Sequence, residues 1–312
     1  MSMTALISRA AAATLVVGLA GTPRAQAPAG GQQQPPVQVT TTKFGANFYA
    51  IDGQGGRMGA LVGPDGVFLV DAQFPAVTDR IVAALRQVAP DARLRFLVNT
   101  HVHGDHTGGN ENFAKLGVTL MSRPLLRMRL LKPAPPAPGG TPTPAAPAAA
   151  LATVTYDERT TLYMNGDEIQ LIPLRDAHTD GDTAVRFVAA NVLMTGDVFR
   201  SIGYPNIDRN NGGTLKGMLA SLNLLADTAG PDTAVVPGHG EITNRAAVIA
   251  HLDMARTVRD RVSKLLSEGR TVEQAVAAKP TADFDQRVGN AAQSADRFVQ
   301  QVYAELRGPA PR

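Results

Sequence analysis

A mixed α/β domain is what the sequence predicts, on three observations. Short runs of β-formers alternate with segments of helical periodicity, glycine and proline clusters separate them, and 44% hydrophobic against 18% charged residues give a 312-residue chain enough apolar side chains for a full core. One catalytic domain, with a leader and some loops, is expected from that length. Residues 44–51, 59–62 and 67–70 read as strands separated by turns at Gly53, Gly55 and Gly56 and at Pro64-Asp65-Gly66. Val77, Ile81, Leu85 and Val88 recur at helical spacing and predict an amphipathic helix. Residues 95–99 form the next strand and 110–116 a short helix. Strands at 169–172, 183–188, 192–195 and 234–236 follow. Val248, Leu252, Ala255, Val258, Val262 and Leu265 then define a long helix that Gly269 ends, and residues 297–306 make the last one.

The ends and linkers are compositional. Residues 1–27 carry Arg9, an apolar run from Ala10 to Ala20 and the small-residue site Ala25-Gln26-Ala27, the pattern of a secretory signal peptide cleaved after Ala27. That apolar run is too short to span a bilayer, so a periplasmic or secreted protein without stable membrane insertion is expected. Residues 28–37 are rich in Pro, Gly and Gln and read as a disordered tether. A second tract, 133–150, has seven prolines and reads as a long surface insertion, either a tolerated loop or a flap beside a pocket. The catalytic domain is therefore expected over 38–245, with helices from 246–312 packed on it.

Composition also excludes function classes. Without cysteine there is no disulfide framework, thiolate nucleophile, cysteine-rich zinc finger or iron–sulfur cluster. The formal charge of +3 falls to +1 once Arg9 and Arg24 leave with the leader, too little to argue for nucleic acid. A small-molecule substrate is expected instead.

Three of the chain's six histidines fall within His101-Val102-His103-Gly104-Asp105-His106, directly after the strand Phe96-Leu97-Val98. Ligand sites of α/β proteins lie at such carboxyl ends of strands. His178, Asp197 in Thr195-Gly196-Asp197 and His239 in Pro237-Gly238-His239-Gly240 occur at further strand ends. Imidazole and carboxylate ligands without thiolate suit zinc, and also iron(II) or manganese.

The pattern HVHGDH, then His178, then TGD ending at Asp197, then PGHG resembles the metallo-β-lactamase superfamily over roughly residues 40–245. The resemblance implies an αββα sandwich with metals at one edge of two sheets. It further implies His101, His103 and His178 on one ion, Asp105, His106 and His239 on a second, and Asp197 bridging two Zn2+. A hydroxide held between the ions would be the nucleophile, with Asp105 orienting it and shuttling its proton, against an ester, thioester, lactone or amide bond. Lactamase subclasses with cysteine on the second metal are excluded by composition. A cysteine-free subclass has a similar histidine set but lacks the bridging aspartate, which is typical of thioesterase, lactonase, sulfatase and phosphodiesterase relatives. β-Lactam hydrolysis is one alternative; a mononuclear iron oxidoreductase of the persulfide dioxygenase type is another.

Several further residues carry expectations. Asp71, at the end of a strand, is expected to support the ligand loops as an acceptor for a histidine. His251 reads as a surface or packing residue of the long helix. Arg123, Arg127, Arg129 and Lys132 read as a solvated face; one that reached the pocket would select a carboxylate or phosphate. Tyr204 is a candidate oxyanion donor. Gly53, Gly55 and Gly56 read as a hairpin turn and not a phosphate loop, since no Lys-Ser/Thr follows.

Overall fold

The computed structural model describes residues 37–133 and 142–308. The expected signal peptide and the tether as far as Pro36 lie outside the described residues, as does 134–141 of the insertion.

The chain begins with β1 (Thr40–Phe44), β2 (Phe48–Asp52), β3 (Met58–Gly63) and β4 (Gly66–Val70), an antiparallel meander. Helix α1 (Thr78–Val88) leads to β5 (Leu94–Val98), α2 (Gly104–Thr107) and α3 (Asn110–Lys115) to β6 (Thr119–Ser122), and α4 (Pro124–Leu130) and the insertion to β7 (Val154–Thr155). From β4 onward the pairs are parallel, which requires these crossovers, and the first sheet runs β1-β2-β3-β4-β5-β6-β7. The second sheet, ordered β12-β11-β10-β9-β8, is built from β8 (Thr160–Met164), β9 (Asp167–Pro173), β10 (Thr183–Phe187), β11 (Val192–Gly196), then α5 (Leu215–Thr228) and β12 (Ala234–Pro237). Helices α6 (Arg245–Ser267), α7 (Val272–Ala277) and α8 (Ala291–Arg307) complete the chain.

Strand alternation explains the layering. In β4, Phe68 and Val70 face the second sheet, packing with Ile169, Val185 and Phe187, while Val67 and Leu69 face outward onto Ile81 and Leu85 of α1. On the far side, Ile172, Ala184, Leu193 and Val235 are covered by α5, α6 and α8. Three apolar layers between two sheets and two helix layers make an αββα sandwich, the expected architecture.

The expected strand at 44–51 is two strands, because the chain turns at residues 45–47. Helix α6 ends as its glycine requires: the Gly269 and Arg270 amides donate back to the Leu266 and Leu265 carbonyls at 3.0 and 3.1 Å. Strands β6 and β8 and helices α5 and α7 carry no sequence expectation. In β8 only Met164 is fully buried, which leaves little of the alternation that marks a strand.

His251 lies inside α6, edge-on to Phe199 with ring centroids 5.3 Å apart, and is a packing residue. Burial, reinforced by the Arg200 charge, pushes its imidazole down to about 4. Because the unfolded chain binds this proton more readily, stability is full above the ordinary histidine range and is lost as pH falls toward 4. Urea melts across pH 6.5 to 4 should show about 3 kcal/mol less acid destabilisation in His251→Leu than in the unaltered chain.

Candidate metal centre

The site forms where the loops of both sheets meet. After β5, Asn99 pins the histidine loop: its Nδ2 donates to the His106 carbonyl at 3.1 Å and to Asn110 Oδ1 at 3.0 Å, and Asn110 Nδ2 donates to the Ala150 carbonyl at 3.1 Å. The short α2 starts at Gly104, and the His106 and Thr107 amides both donate to the His103 carbonyl at 3.0 Å. His101, His103, Asp105 and His106 therefore leave the first sheet on one compact turn. His178 comes from the β9–β10 connection, Asp197 follows β11 and His239 follows β12, all on the second sheet.

These side chains converge in two groups. His101 Nε2 and His178 Nε2 lie 3.2 and 3.0 Å from His103 Nδ1. In the other group, Asp105 Oδ2 is 3.0 Å from His239 Nε2 and 3.6 Å from His106 Nε2. Asp197 reaches both: Oδ1 is 3.5 Å from His106 Nε2, and Oδ2 is 3.5 Å from His239 Nε2 and 4.0 Å from His178 Nε2. Donor atoms of His101/His103/His178, of His101/His106/Asp197 and of Asp105/His106/His239 each lie within 4.8 Å of one another. All seven residues expected at the site are thus brought together.

A divalent cation fits this donor set. His106 Nε2 and Asp197 Oδ1 are buried with no hydrogen-bond partner among the described residues, an expensive arrangement unless an electron acceptor takes their lone pairs. Imidazole and carboxylate donors without thiolate suit zinc, iron(II) or manganese.

The far side of four of the five imidazoles is also held. Asp71 Oδ2 lies 2.7 Å from His106 Nδ1, while Asp71 accepts the Thr100 amide at 2.7 Å and its hydroxyl at 2.8 Å. His101 Nδ1 is 3.0 Å from Thr100 Oγ1, and His178 Nδ1 donates to the Asn206 carbonyl at 2.7 Å. His103 Nε2 donates to Asp208 Oδ2 at 2.7 Å. Such outer partners orient metal-binding histidines. Sequence reasoning identified Asp71 but missed Asp208, whose only signal is the polar turn Asp208-Arg209-Asn210-Asn211. Asn211 Nδ2 donates to Asp208 at 2.7 Å and so keeps its carboxylate aimed at His103. An Asp208→Ala variant should bind metal about 10- to 100-fold more weakly, measured by competition with a chromophoric chelator.

Electrostatics favour ligation. Burial, and then the His106 and His178 charges, hold His101 well below the usual imidazole range, and burial pushes His178 down to about 4, so both present unprotonated nitrogen at neutral pH. Burial also disfavours charge on His106, but Asp71 and Asp197 outweigh it and raise its proton affinity. Burial likewise works against charge on Asp197, yet the close approach of the His106 imidazole and the His106, His101 and His178 charges hold that carboxyl well below its usual range. The centre is a charge-coupled unit in which cations would replace protons.

Two glycines are fixed by close approach. A Cβ at Gly56 would overlap the His106 ring, and one at Gly238 would overlap Asp197 Oδ1. Gly56 is a hairpin-turn residue as expected, with the added duty of clearing a ligand. Gly56→Ala should lower bound metal per purified chain by about half by displacing His106, detectable by elemental analysis.

A family model described as the metallo-beta-lactamase superfamily matches residues 52–239. The chain belongs to that superfamily. Several solved structures share this fold. A metallo-beta-lactamase from Pontibacter korlensis superposes with a TM-score of 0.58 at 17% identity, covering 70% of this chain and 99% of that one. A metallo beta lactamase from Hirschia baltica gives 0.56 at 18% identity, covering 70% and 98%. The stereoselective inverting sec-alkylsulfatase Pisa1 from Pseudomonas sp. gives 0.65 at 16% identity over 85% of this chain, which spans half of that longer protein. No curated protein matches the sequence. As in metal-dependent hydrolases of this superfamily generally, the His/Asp cluster is suited to divalent metal and a small-molecule substrate.

Two expectations for nearby residues are corrected. Tyr204 is no oxyanion donor: it is fully buried beneath α8, stacked on Phe298, and its hydroxyl donates to Asp285 Oδ1 at 2.6 Å with the Thr281 carbonyl 3.0 Å away. Arg123 is not on a solvated face. It is buried at the β6–α4 junction, where its guanidinium donates to the Asp180 carbonyl and to Asp157, both at 2.7 Å. Arg127 donates to the Ala152 carbonyl, and Arg129 pairs in bidentate fashion with Asp180 at 2.7 and 2.6 Å. The arginines staple the insertion and the Asp208 loop; Lys132 alone of the four is fully exposed.

Proposed function

We propose that the chain is an exported dinuclear zinc hydrolase that cleaves an ester, thioester, lactone or amide bond. The observation that supports this reading is the convergence of seven ligand-type residues from both sheets on buried, unpartnered donor atoms. In this reading His101, His103 and His178 would hold one ion and Asp105, His106 and His239 the other, with Asp197 within reach of both groups. Two such cations lower the pKa of water toward neutrality and polarise a carbonyl. Unprotonated His101 and His178 keep their lone pairs available at neutral pH. Asp71 and Asp208 hold the His106 and His103 rings in place. The Asp105 carboxylate, a quarter exposed, sits on the solvent side of the cluster. There its Oδ1 accepts the proton of the attacking water and returns it to the departing oxygen, sulfur or nitrogen.

Elemental analysis of protein purified without added metal, combined with a panel of an aryl ester, a thioester, a lactone, a chromogenic cephalosporin and an alkyl sulfate, tests the reading. The last two follow the names of the structural neighbours. About two zinc ions per chain and turnover that stops on chelation are expected. A single iron with oxygen consumption, or undiminished turnover in metal-free protein, overturns it. Export rests on the leader pattern in residues 1–27; mass spectrometry of the periplasmic fraction should find a chain beginning at Pro28.

A further inference from the structure

The geometry points to a second ligand site, separate from the metal centre, that takes a small organic anion with an apolar body. A cavity of about 360 Å³ lies between α6, the loops that follow Asp197 and His239, and the segment before α8. That volume is in the range of small-molecule sites. None of the seven metal-centre residues lines it.

Its lining divides by chemistry. Phe199, Met254 and Phe284 give an apolar wall, while Arg200 and Arg287 give a basic one beside the neutral imidazole of His251. His251 is only 8% exposed, and its Nε2 is buried without a hydrogen-bond partner among the described residues. Arg200 Nε, on the same lining, is in the same state. Its nearest carboxylate oxygen, Asp197 Oδ2, is 3.8 Å away, beyond hydrogen-bond reach. Buried donors without acceptors are costly, and acceptor oxygens of a bound anion would relieve that cost. The Arg287 guanidinium is held over the Phe284 ring, 5.3 Å from its centroid, which fixes a further positive charge at the wall. Glu241 and Arg287, on the lining, are both exposed to solvent, and Arg200 supplies the positive charge of its less exposed part. An apolar wall facing a cationic one selects an amphiphilic anion over a neutral lipid or an inorganic ion.

Calorimetric titration of the metal-loaded full chain with octanoate, and with octanamide as its neutral counterpart, tests this site. One octanoate per chain should bind saturably, with no measurable binding of octanamide. Ala250→Trp, a change at an exposed position of α6 that plugs the cavity mouth, should weaken octanoate at least about tenfold. His251→Leu should weaken it by a similar factor through loss of the buried donor. Octanoate held at the metal centre instead would be unaffected by Ala250→Trp, and that result overturns the proposal. Equal binding of octanamide, or no saturation up to about 10 mM, overturns it as well.

Discussion

Asp197→Ala should reduce turnover by a factor on the order of 10³ or more and leave less than half of the bound metal, while the protein still melts cooperatively. The size of the effect follows from position. Among the described residues Asp197 is the one carboxylate within reach of both histidine groups, 3.5 Å from His106 and His239 and 4.0 Å from His178. Its removal takes away a ligand from each proposed ion and the negative charge that holds the His106 imidazolium in the metal-free protein. Asp197→Asn separates these roles, since the amide keeps the volume but loses the charge. Elemental analysis with saturating-substrate kinetics provides the readout; a variant with wild-type turnover would show that Asp197 bridges nothing.

Asp71→Ala should cost about 3–5 kcal/mol of folding free energy, because it removes one partner of a fully buried ion pair and strands the other. It also leaves the Thr100 amide and hydroxyl without their acceptor. Asp71 adopts a left-handed backbone with φ of 65°, a conformation that alanine tolerates poorly, which adds to the loss. Asp71→Asn, which can still accept the Thr100 amide, should recover part of the stability but less of the metal affinity. Denaturant unfolding of metal-free protein, alongside metal titration, separates these contributions.

How far the sequence was legible differs between layers. The ligands were readable because coordination chemistry restricts them to few residue types, and because His101, His103, Asp105 and His106 are crowded into six positions after a strand. Asp71 was readable as an acidic residue that closes an apolar strand and matches a carboxylate of the superfamily pattern. Asp208 was not, since its partner His103 is distant in sequence and the contact exists only once the loop before α5 folds over the first sheet's turn. Tyr204 and Arg123 misled for one physical reason. Their polar tips find protein acceptors in the interior, a pairing that composition and spacing do not reveal. Strand β8 escaped because its edge position leaves four of its five residues partly or fully exposed.

Four of the seven donors hang from one sheet and three from the other, with apolar side chains as the main glue between the two layers. Ions seated there would act as rivets through the sandwich, resisting any sliding of one layer past its neighbour. Stripping them should therefore loosen the body of the protein as well as silence it, and the melting temperature should rise with free zinc concentration along the logarithmic course of mass action.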